Sequence, residues 1–241
     1  MRSAATDTRE DSVAAAVPTV APERRTRDAE RSREAILDAA ERQFADRGFD
    51  AVSLQEIATA AGLSRGAPSY FFRSKDNLYE AVLERVFAER DAATRLAFEP
   101  VTAWAAGTGG AAALRRALQR AIAGYLQFLI ARPSFVRLLD WEAISDGGRL
   151  HPADGSHDGR ERARGHAMAD AFGAVRAVAR GRGLAPFDVD DAVLVTVALT
   201  FSLVSQRATL MSAIGRDLSD ATTVKRHTRL VVDQLLHLMA P

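Results

Sequence analysis

The chain has 241 residues, of which 47% are hydrophobic, and its formal net charge at pH 7 is +1. A hydrophobic fraction of this size can fill a core and excludes wholesale disorder, while a charge this close to zero excludes bulk binding of polyanions. The chain has no Cys and no uninterrupted apolar run of about 18 residues, which excludes disulfides, thiolate metal sites and a membrane-spanning helix.

Residues 1–28 show no hydrophobic periodicity and are predicted to form a disordered, mobile tail. Helical spacing then predicts a first helix, which ends at Gly48. Its apolar stripe consists of Ile36, Leu37, Ala40 and Phe44.

Three further helix starts follow within a short distance. Ser53 can cap a second helix, and Glu56, three residues later, completes a capping box. Gly62 ends that helix, after an apolar face made of Leu54, Ile57, Ala58 and Ala61. Ser64 can cap a third, short helix, and Ser74 can cap a fourth.

The rest of the chain also has helical spacing. Residues 99–110, with one Pro and three Gly, are predicted to be a connection, and residues 146–159 a loop. Helices are predicted near 111–131, 134–145, 160–180, 188–213 and 219–239. No segment alternates apolar and polar residues for long, so the predicted fold is all-α, with an N-terminal three-helix domain over 29–75 and a helical domain over 76–241.

Residues 53–72 place two capped helices around a Gly turn, which is the plan of a helix-turn-helix. In such a unit the first helix crosses the DNA backbone, and the second projects polar side chains into the major groove. Between Glu56 and Asp76 the sequence holds no acid, while Arg65, Arg73 and Lys75 are basic. Phosphates would therefore meet no opposing charge along this stretch.

The segment AILDAAERQFADRGFDAVSLQEIATAAGLSRG, continued by SRGAPSYFFRSKDNL, resembles the N-terminal domain of the TetR family of transcriptional regulators. The similarity covers about 50 residues. It includes the Ala-Ala pair and Phe44 of the first helix, the Gly48-Phe49 turn, Ile57-Ala58, Gly62-Leu63-Ser64, Phe72, Lys75 and Leu78. The remainder of the chain is similar to that family only in being all-helical.

The resemblance implies which side chains contact DNA. Ser53 lies where the family contacts phosphate, Gln55 where some members contact a base, and Arg65 is the best candidate for reading guanine. Tyr70 and Lys75 match positions that hold the DNA backbone. The full set of predicted DNA-binding residues is Ser53, Gln55, Arg65, Gly66, Ala67, Ser69, Tyr70 and Lys75. For Ser53, Arg65 and Lys75 the alternative is a plain cap or a solvated charge.

One position departs from the family pattern. Pro68 and Ser69 stand where a Leu-Tyr pair is usual, and Pro inside a helix loses a backbone hydrogen bond. The third helix is therefore expected to begin near Gly66 rather than at Ser64, with Pro68 in its first turn. That shift puts the aim of Arg65 in doubt. Of Phe71 and Phe72, we expect Phe72 to be in the core.

Basic residues cluster where the tail meets the first helix: Arg24, Arg25, Arg27, Arg31 and Arg33. Acids interleave with them, so two interpretations stay open, a solvated charged arm and an arm that contacts phosphate or the minor groove. All but two of the 32 basic residues in the chain are Arg, which suits phosphate and guanine. Because the Arg excess runs along the whole chain, coding bias in a GC-rich genome is the simpler cause.

The resemblance implies that the second domain binds a small hydrophobic inducer and forms a homodimer through its last two helices. Residues 192–204 are apolar nearly all round, as expected of a helix buried on more than one side. An internal core helix would look the same. The predicted pocket residues are Tyr125, Phe128, Leu129, Phe135, Leu138, Trp141, Phe172 and Phe201, with Gln206 and Arg207 as a possible polar end.

The predicted function is that of a cytoplasmic repressor, which an inducer releases from a palindromic operator in double-stranded DNA. An activator of the same fold is the first alternative. An all-helical enzyme or scaffold is less favoured, because no nucleophile, zinc-protease or phosphate-loop motif is present. We predict no cofactor and no metal. His151, His157 and His166 with Asp154 and Asp158 could suggest a metal site, but the two loop histidines lack the i, i+4 spacing of helical ligands.

Overall fold

The computed structural model describes residues 22–145, 149 and 166–240. Within these ranges the chain forms helices and no strand, so the predicted all-α fold is confirmed there. The helices are α1 (Pro22–Arg47), α2 (Leu54–Ala60), α3 (Ala67–Phe72), α4 (Lys75–Ala106), α5 (Ala111–Ala131), α6 (Pro133–Ile144), α7 (His166–Val178), α8 (Val189–Ser205) and α9 (Ala221–Leu238). A short 3-10 helix covers Arg180–Arg182, and a π-helical turn covers Arg207–Met211.

Helix α1 begins earlier than the sequence suggested. We predicted a tail over 1–28, but α1 already starts at Pro22, so residues 22–28 are helical. Pro has no backbone N–H to lose in a first turn, and its fixed φ suits that position. Residues 1–21 of the predicted tail lie outside the described residues.

Helix α4 continues without a break to Ala106, so the predicted connection over 99–110 is wrong for residues 99–106. Pro100 cannot donate to the carbonyl of Leu96, but Leu96 is 74% exposed, so water can reach that side of the helix. The actual connection covers only 107–110.

Arg182 holds the end of α4. Its guanidinium donates to the carbonyls of Trp104 at 2.8 Å, Ala105 at 3.1 Å and Gly109 at 3.1 Å, and also to that of Gly107. The same guanidinium lies 4.5 Å from the centroid of the Trp104 ring. The last carbonyls of a helix have no partner within it and carry partial negative charge, so this cation satisfies both needs at once.

Helix α8 is shorter than predicted. The sequence suggested one helix over 188–213, but α8 ends at Ser205 and the π-helical turn Arg207–Met211 follows Gln206. Its start is as predicted, because the Asp188 side chain accepts hydrogen bonds from the N–H groups of Asp190 at 2.7 Å and Asp191 at 3.2 Å.

Helix α6 joins the N-terminal helices to the rest of the chain. The Trp141 indole donates to the carbonyl of Ala45 at 3.2 Å, and a Cβ added to Gly48 would meet the Trp141 ring at 3.0 Å. Nearby, the buried carboxylate of Glu142 accepts a hydrogen bond from the Tyr79 hydroxyl at 2.6 Å. Burial, together with that carboxylate, raises the pKa of Tyr79 well above its usual value.

A second contact at this joint is made by the side chain of Glu41 on α1, which is only 9% exposed. One of its oxygens accepts from Arg85 of α4 at 2.6 Å. The other accepts from the Ser134 hydroxyl at 2.5 Å and from Arg132 at 3.3 Å. Three elements of the chain, α1, α4 and the start of α6, therefore meet at one carboxylate.

The two glycines Gly48 and Gly62 provide a matched test of the joint. Their φ angles are +75° and +70°, but only Gly48 has a neighbour, Trp141, within 4 Å of an added Cβ. We expect Gly62→Ala to destabilise by about 1–2 kcal/mol through left-handed strain alone. Gly48→Ala should cost that strain plus the displacement of Trp141. Thermal or denaturant unfolding measures both, and an equal loss in the two variants would contradict a tight contact between α1 and α6.

Candidate nucleic-acid interface and ligand clefts

The start of α2 has the predicted capping box. The Ser53 hydroxyl accepts from the N–H of Glu56 at 3.2 Å, and the Glu56 carboxylate accepts from the N–H of Ser53 at 2.8 Å. Arg47 binds the same carboxylate at 2.8 Å. Hydrogen bonds from Arg47 and Ser53 lower the pKa of Glu56 to about 2. The box is therefore charged and closed at neutral pH.

The turn after α2 is a Schellman motif, which fixes the angle between α2 and α3. Gly62 takes a φ of +70°, the N–H of Leu63 donates to Ala58 O at 2.9 Å, and the N–H of Gly62 donates to Thr59 O at 3.1 Å. Glycine is needed here because an L side chain is strained at such a φ.

Helix α3 starts where the sequence predicted. Gly66 is its N-cap and Pro68 lies in its first turn, so the missing N–H of Pro68 breaks no helical bond. Pro68 and Phe72 are buried and hold the helix down, which confirms Phe72 as the core residue of the pair. The Arg33 guanidinium covers the Phe72 ring at 5.1 Å.

Most of the predicted DNA-binding residues are exposed. The exposed ones are Ser53, Gln55, Arg65, Gly66, Ser69 and Tyr70, and Tyr70 is 82% exposed. Ala67 is half-buried. Ser53, Gln55 and Arg65 also share the wall of a cleft of about 570 Å³ next to α1. The structure thus brings the proposed base readers and the proposed phosphate contact together.

Two of the predicted contacts already have partners within the chain. Ser53 uses both its hydroxyl and its N–H in the capping box. Lys75 is half-buried, with its Nζ 4.2 Å from the centroid of the Phe49 ring and 3.5 Å from Asp50 O. A DNA contact by either side chain would have to share or replace these interactions.

Arg73 was not among the residues predicted to contact DNA, although it is basic and exposed at the end of α3. It is the only non-glycine residue in the described ranges with a positive φ, +67°. Backbone strain of this kind is retained where the surroundings fix it, and it often marks functional sites. The sequence indicates the charge of Arg73 but not its backbone conformation.

Five of the eight predicted ligand-pocket residues are buried in the core. Tyr125, Leu129, Phe135, Leu138 and Phe172 are buried side chains of the core. Phe128 stacks on Tyr125 at 6.5 Å between centroids, and Phe201 is half-buried against the core. The eighth, Trp141, lies against Ala45 and Gly48 at the joint with α1. Aromatic residues at helical spacing look alike whether they fill a core or surround a ligand.

An open cleft lies elsewhere, between α5 and α9. It has a volume of about 560 Å³ and none of the eight predicted pocket residues lines it. Its lining residues are Gln119, Ala123, Gln127, Ile130, Leu218, Ser219, Ala221, Val224, Lys225, Thr228 and Arg229. The polar candidates Gln206 and Arg207 are not among them either; both are exposed beyond the end of α8.

The last two helices leave large apolar side chains uncovered. Leu194 on α8 is 65% exposed and Leu230 on α9 is 48% exposed. The two helices pack on each other, and the His227 ring nitrogen Nε2 lies 2.9 Å from Leu199 O. Burial lowers the pKa of His227, although the bond to Leu199 opposes the change. Exposed apolar side chains on adjacent helices indicate a surface that another chain can cover.

The described part of the chain contains no group of three or more His, Cys, Asp or Glu residues arranged to bind a metal. None of its helices combines the length and apolar character needed to cross a membrane. The candidate metal ligands His151, Asp154, His157 and Asp158 lie outside the described residues, as does the side chain of His166.

Comparison with known sequences and structures agrees with this architecture. Residues 36–82 match the family "bacterial regulatory proteins, tetR family", and residues 115–235 match "Tetracyclin repressor-like, C-terminal domain". The transcriptional repressor NicS of Pseudomonas putida is 28% identical over 205 residues, which are 81% of this chain and 86% of NicS. The regulator AcrR of Shigella flexneri is 42% identical over 57 residues, 24% of this chain and 26% of AcrR.

Solved structures show the same fold. A TetR family regulator from Marinobacter aquaeolei superposes with a TM-score of 0.63 at 22% identity, covering 90% of this chain and 98% of that one. Since the two family matches together extend from the first predicted helix into α9, and the helix-turn-helix has the geometry described above, this chain belongs to the TetR family of bacterial regulatory proteins, helix-turn-helix proteins that regulate transcription.

Proposed function

We propose that the protein is a repressor that binds a palindromic operator as a homodimer and leaves it when a small molecule binds the C-terminal domain. The observation that supports this most is the exposure of α3. Its Ser69 and Tyr70 face solvent, while Pro68 and Phe72 anchor it from below. A helix held in this way can enter a major groove without losing its own packing.

The inducer acts through a population shift. If the ligand binds better to a dimer whose two α3 helices no longer match successive major grooves, it moves the protein to that state and DNA affinity falls. Such a repressor acts where the genome is, in the cytoplasm. NicS and BepR of Brucella suis are both named as transcriptional repressors, which favours repression over activation.

Selection of bound fragments from random or genomic DNA tests the proposal directly. We expect the purified protein to enrich one palindromic site at low salt, with half-sites about one helical turn apart. A protein that enriches no palindrome under these conditions is not the proposed repressor, and a scaffold or an enzyme would then be the better hypothesis.

Arg65→Ala tests base reading on the selected site. Losing one bidentate base contact should cost about 1–3 kcal/mol, or about 5- to 150-fold in specific affinity, and leave non-specific binding much less changed. Arg95, an exposed residue near the middle of α4, provides the matched control as Arg95→Ala, which removes the same charge. Fluorescence anisotropy with specific and scrambled duplexes measures both affinities. An equal loss on the two duplexes would refute the role of Arg65 in reading a base.

The dimer surface is tested with charge on its apolar residues. Leu194→Glu and Leu230→Glu should each shift the protein toward the monomer, because a carboxylate buried in an apolar interface is unpaired. Leu96→Glu is the control, since Leu96 is 74% exposed on α4, away from the last two helices. Sedimentation velocity reports the state of association. If Leu96→Glu dissociates the protein and the other two variants do not, the interface lies elsewhere.

A further inference from the structure

We propose that the cleft between α5 and α9 binds an amphipathic anion, a small molecule with a carboxylate group and an apolar body. This inference rests on the proposed ligand response of the C-terminal domain and names the site and the ligand class. It places the ligand away from the aromatic residues that the sequence suggested, which the structure packs into the core.

The shape of the cleft suits a small molecule. Its volume of about 560 Å³ falls in the range of about 300–1,000 Å³ that is usual for ligand sites. On the α5 side the lining residues follow one helical stripe, with Gln119, Ala123 and Gln127 four residues apart. On the α9 side, Lys225 and Arg229 are also four residues apart. The cleft is therefore bounded by one face of each helix.

The charge of the cleft is one-sided. Lys225 and Arg229 are the charged residues among its lining, and no acid accompanies them. Three acids of this region are engaged elsewhere. Asp217 accepts from the N–H of Ser219 at 2.8 Å. Asp220 accepts from the N–H groups of Thr222 and Thr223 at the start of α9, and Asp233 pairs with Arg115 at 2.5 Å. In the described part of the chain neither Lys225 nor Arg229 forms an ion pair, so two cations face the cleft without a partner.

The rest of the lining suits a ligand with a polar head and an apolar body. Ala123, Ile130, Leu218 and Val224 provide an apolar surface on which a hydrocarbon chain or ring can be buried. Gln119 and Gln127 face the cations from the other wall, and their amides can donate to an anionic oxygen or accept from a hydroxyl. A ligand whose carboxylate binds Lys225 and Arg229, and whose apolar body lies along α5, would contact both the charged and the apolar surface of the cleft.

Calorimetry with two probes of equal length tests the ligand class. We expect the full-length protein to bind octanoate at least about 10-fold more tightly than 1-octanol, since a charge-assisted hydrogen bond contributes about 1.5–3 kcal/mol. Equal affinity for the two probes, or no binding of octanoate, overturns the proposal.

Charge-matched variants locate the site. Lys225→Gln with Arg229→Gln should weaken octanoate binding by about 10-fold or more and leave 1-octanol nearly unchanged. The control, Arg95→Gln with Arg116→Gln, removes the same charge from exposed positions of α4 and α5 that do not line this cleft. It should bind octanoate within about 2-fold of the wild type. A loss of equal size in the control, or no loss in the cleft variant, overturns the proposal.

A third variant tests whether both probes occupy the cleft itself. Gln127→Trp fills the cleft from an exposed position and should reduce the binding of octanoate and of 1-octanol. An unfolding temperature close to that of the wild type is the check on folding. Unchanged binding of octanoate by this variant would place the ligand outside the cleft.

Sedimentation distinguishes a ligand in the cleft from a second copy of the chain in the cleft, and operator binding tests the repressor proposal separately. If the variant with Lys225→Gln and Arg229→Gln sediments as a monomer while the wild type is a dimer, a second copy of the chain occupies the cleft and the ligand proposal fails. Operator binding of the same proteins without octanoate tests the proposed repressor by itself. A failure of the ligand proposal can therefore be distinguished from a failure of the repressor proposal.

Discussion

The carboxylate of Glu41 is the interaction on which the arrangement of the molecule depends. A carboxylate whose side chain is only 9% exposed is unfavourable unless each oxygen has a partner, and here Arg85 binds one oxygen while Ser134 and Arg132 bind the other. Removing one partner from such a buried group typically costs about 3–5 kcal/mol. Since α1 belongs to the DNA-binding unit and α6 to the C-terminal domain, this one group sets how the two are oriented. Trp141 against Gly48 adds a steric constraint at the same joint.

The long helix α4 connects the same two parts along the chain. It starts at the Ser74 cap, shortly after the end of α3. It ends at Ala106, where the Arg182 guanidinium binds the final carbonyls. Between these ends it packs on α5 and α7, where the Phe98 and Phe172 rings meet edge to face at 5.6 Å. Packed side chains therefore connect α5, which lines the cleft, with α4, and the Glu41 joint connects α4 with α1.

The sequence predicted those features that local chemistry determines. The capping box at Ser53, the glycine turn at Gly62 and the start of α3 at Gly66 each depend on residues within a few positions, and all three are as predicted. Pro100 misled the prediction because only tertiary structure shows that the carbonyl side of Leu96 is open to water. The predicted pocket stays a prediction for a different reason, since core and pocket both require bulky apolar side chains at helical spacing. Phe172 packs against Phe98, whereas the small and polar residues that line the α5–α9 cleft have the same spacing as any exposed helix face, so that cleft could be found only in three dimensions.

The small size of α3 supports the proposal that the protein acts on DNA as a dimer. The helix has six residues, and Pro68 and Phe72 are buried to hold it in place. In the proposed repressor, base reading then falls to a few side chains, above all Arg65 just before α3 and Gln55 on α2, with each base contact worth about 1–3 kcal/mol. Specific sites are usually preferred over random DNA by about 4–10 kcal/mol, which two such contacts do not reliably reach. Doubling the surface across a two-fold axis reaches it, so in the proposed dimer the exposed apolar residues Leu194 and Leu230 would serve specificity as much as association.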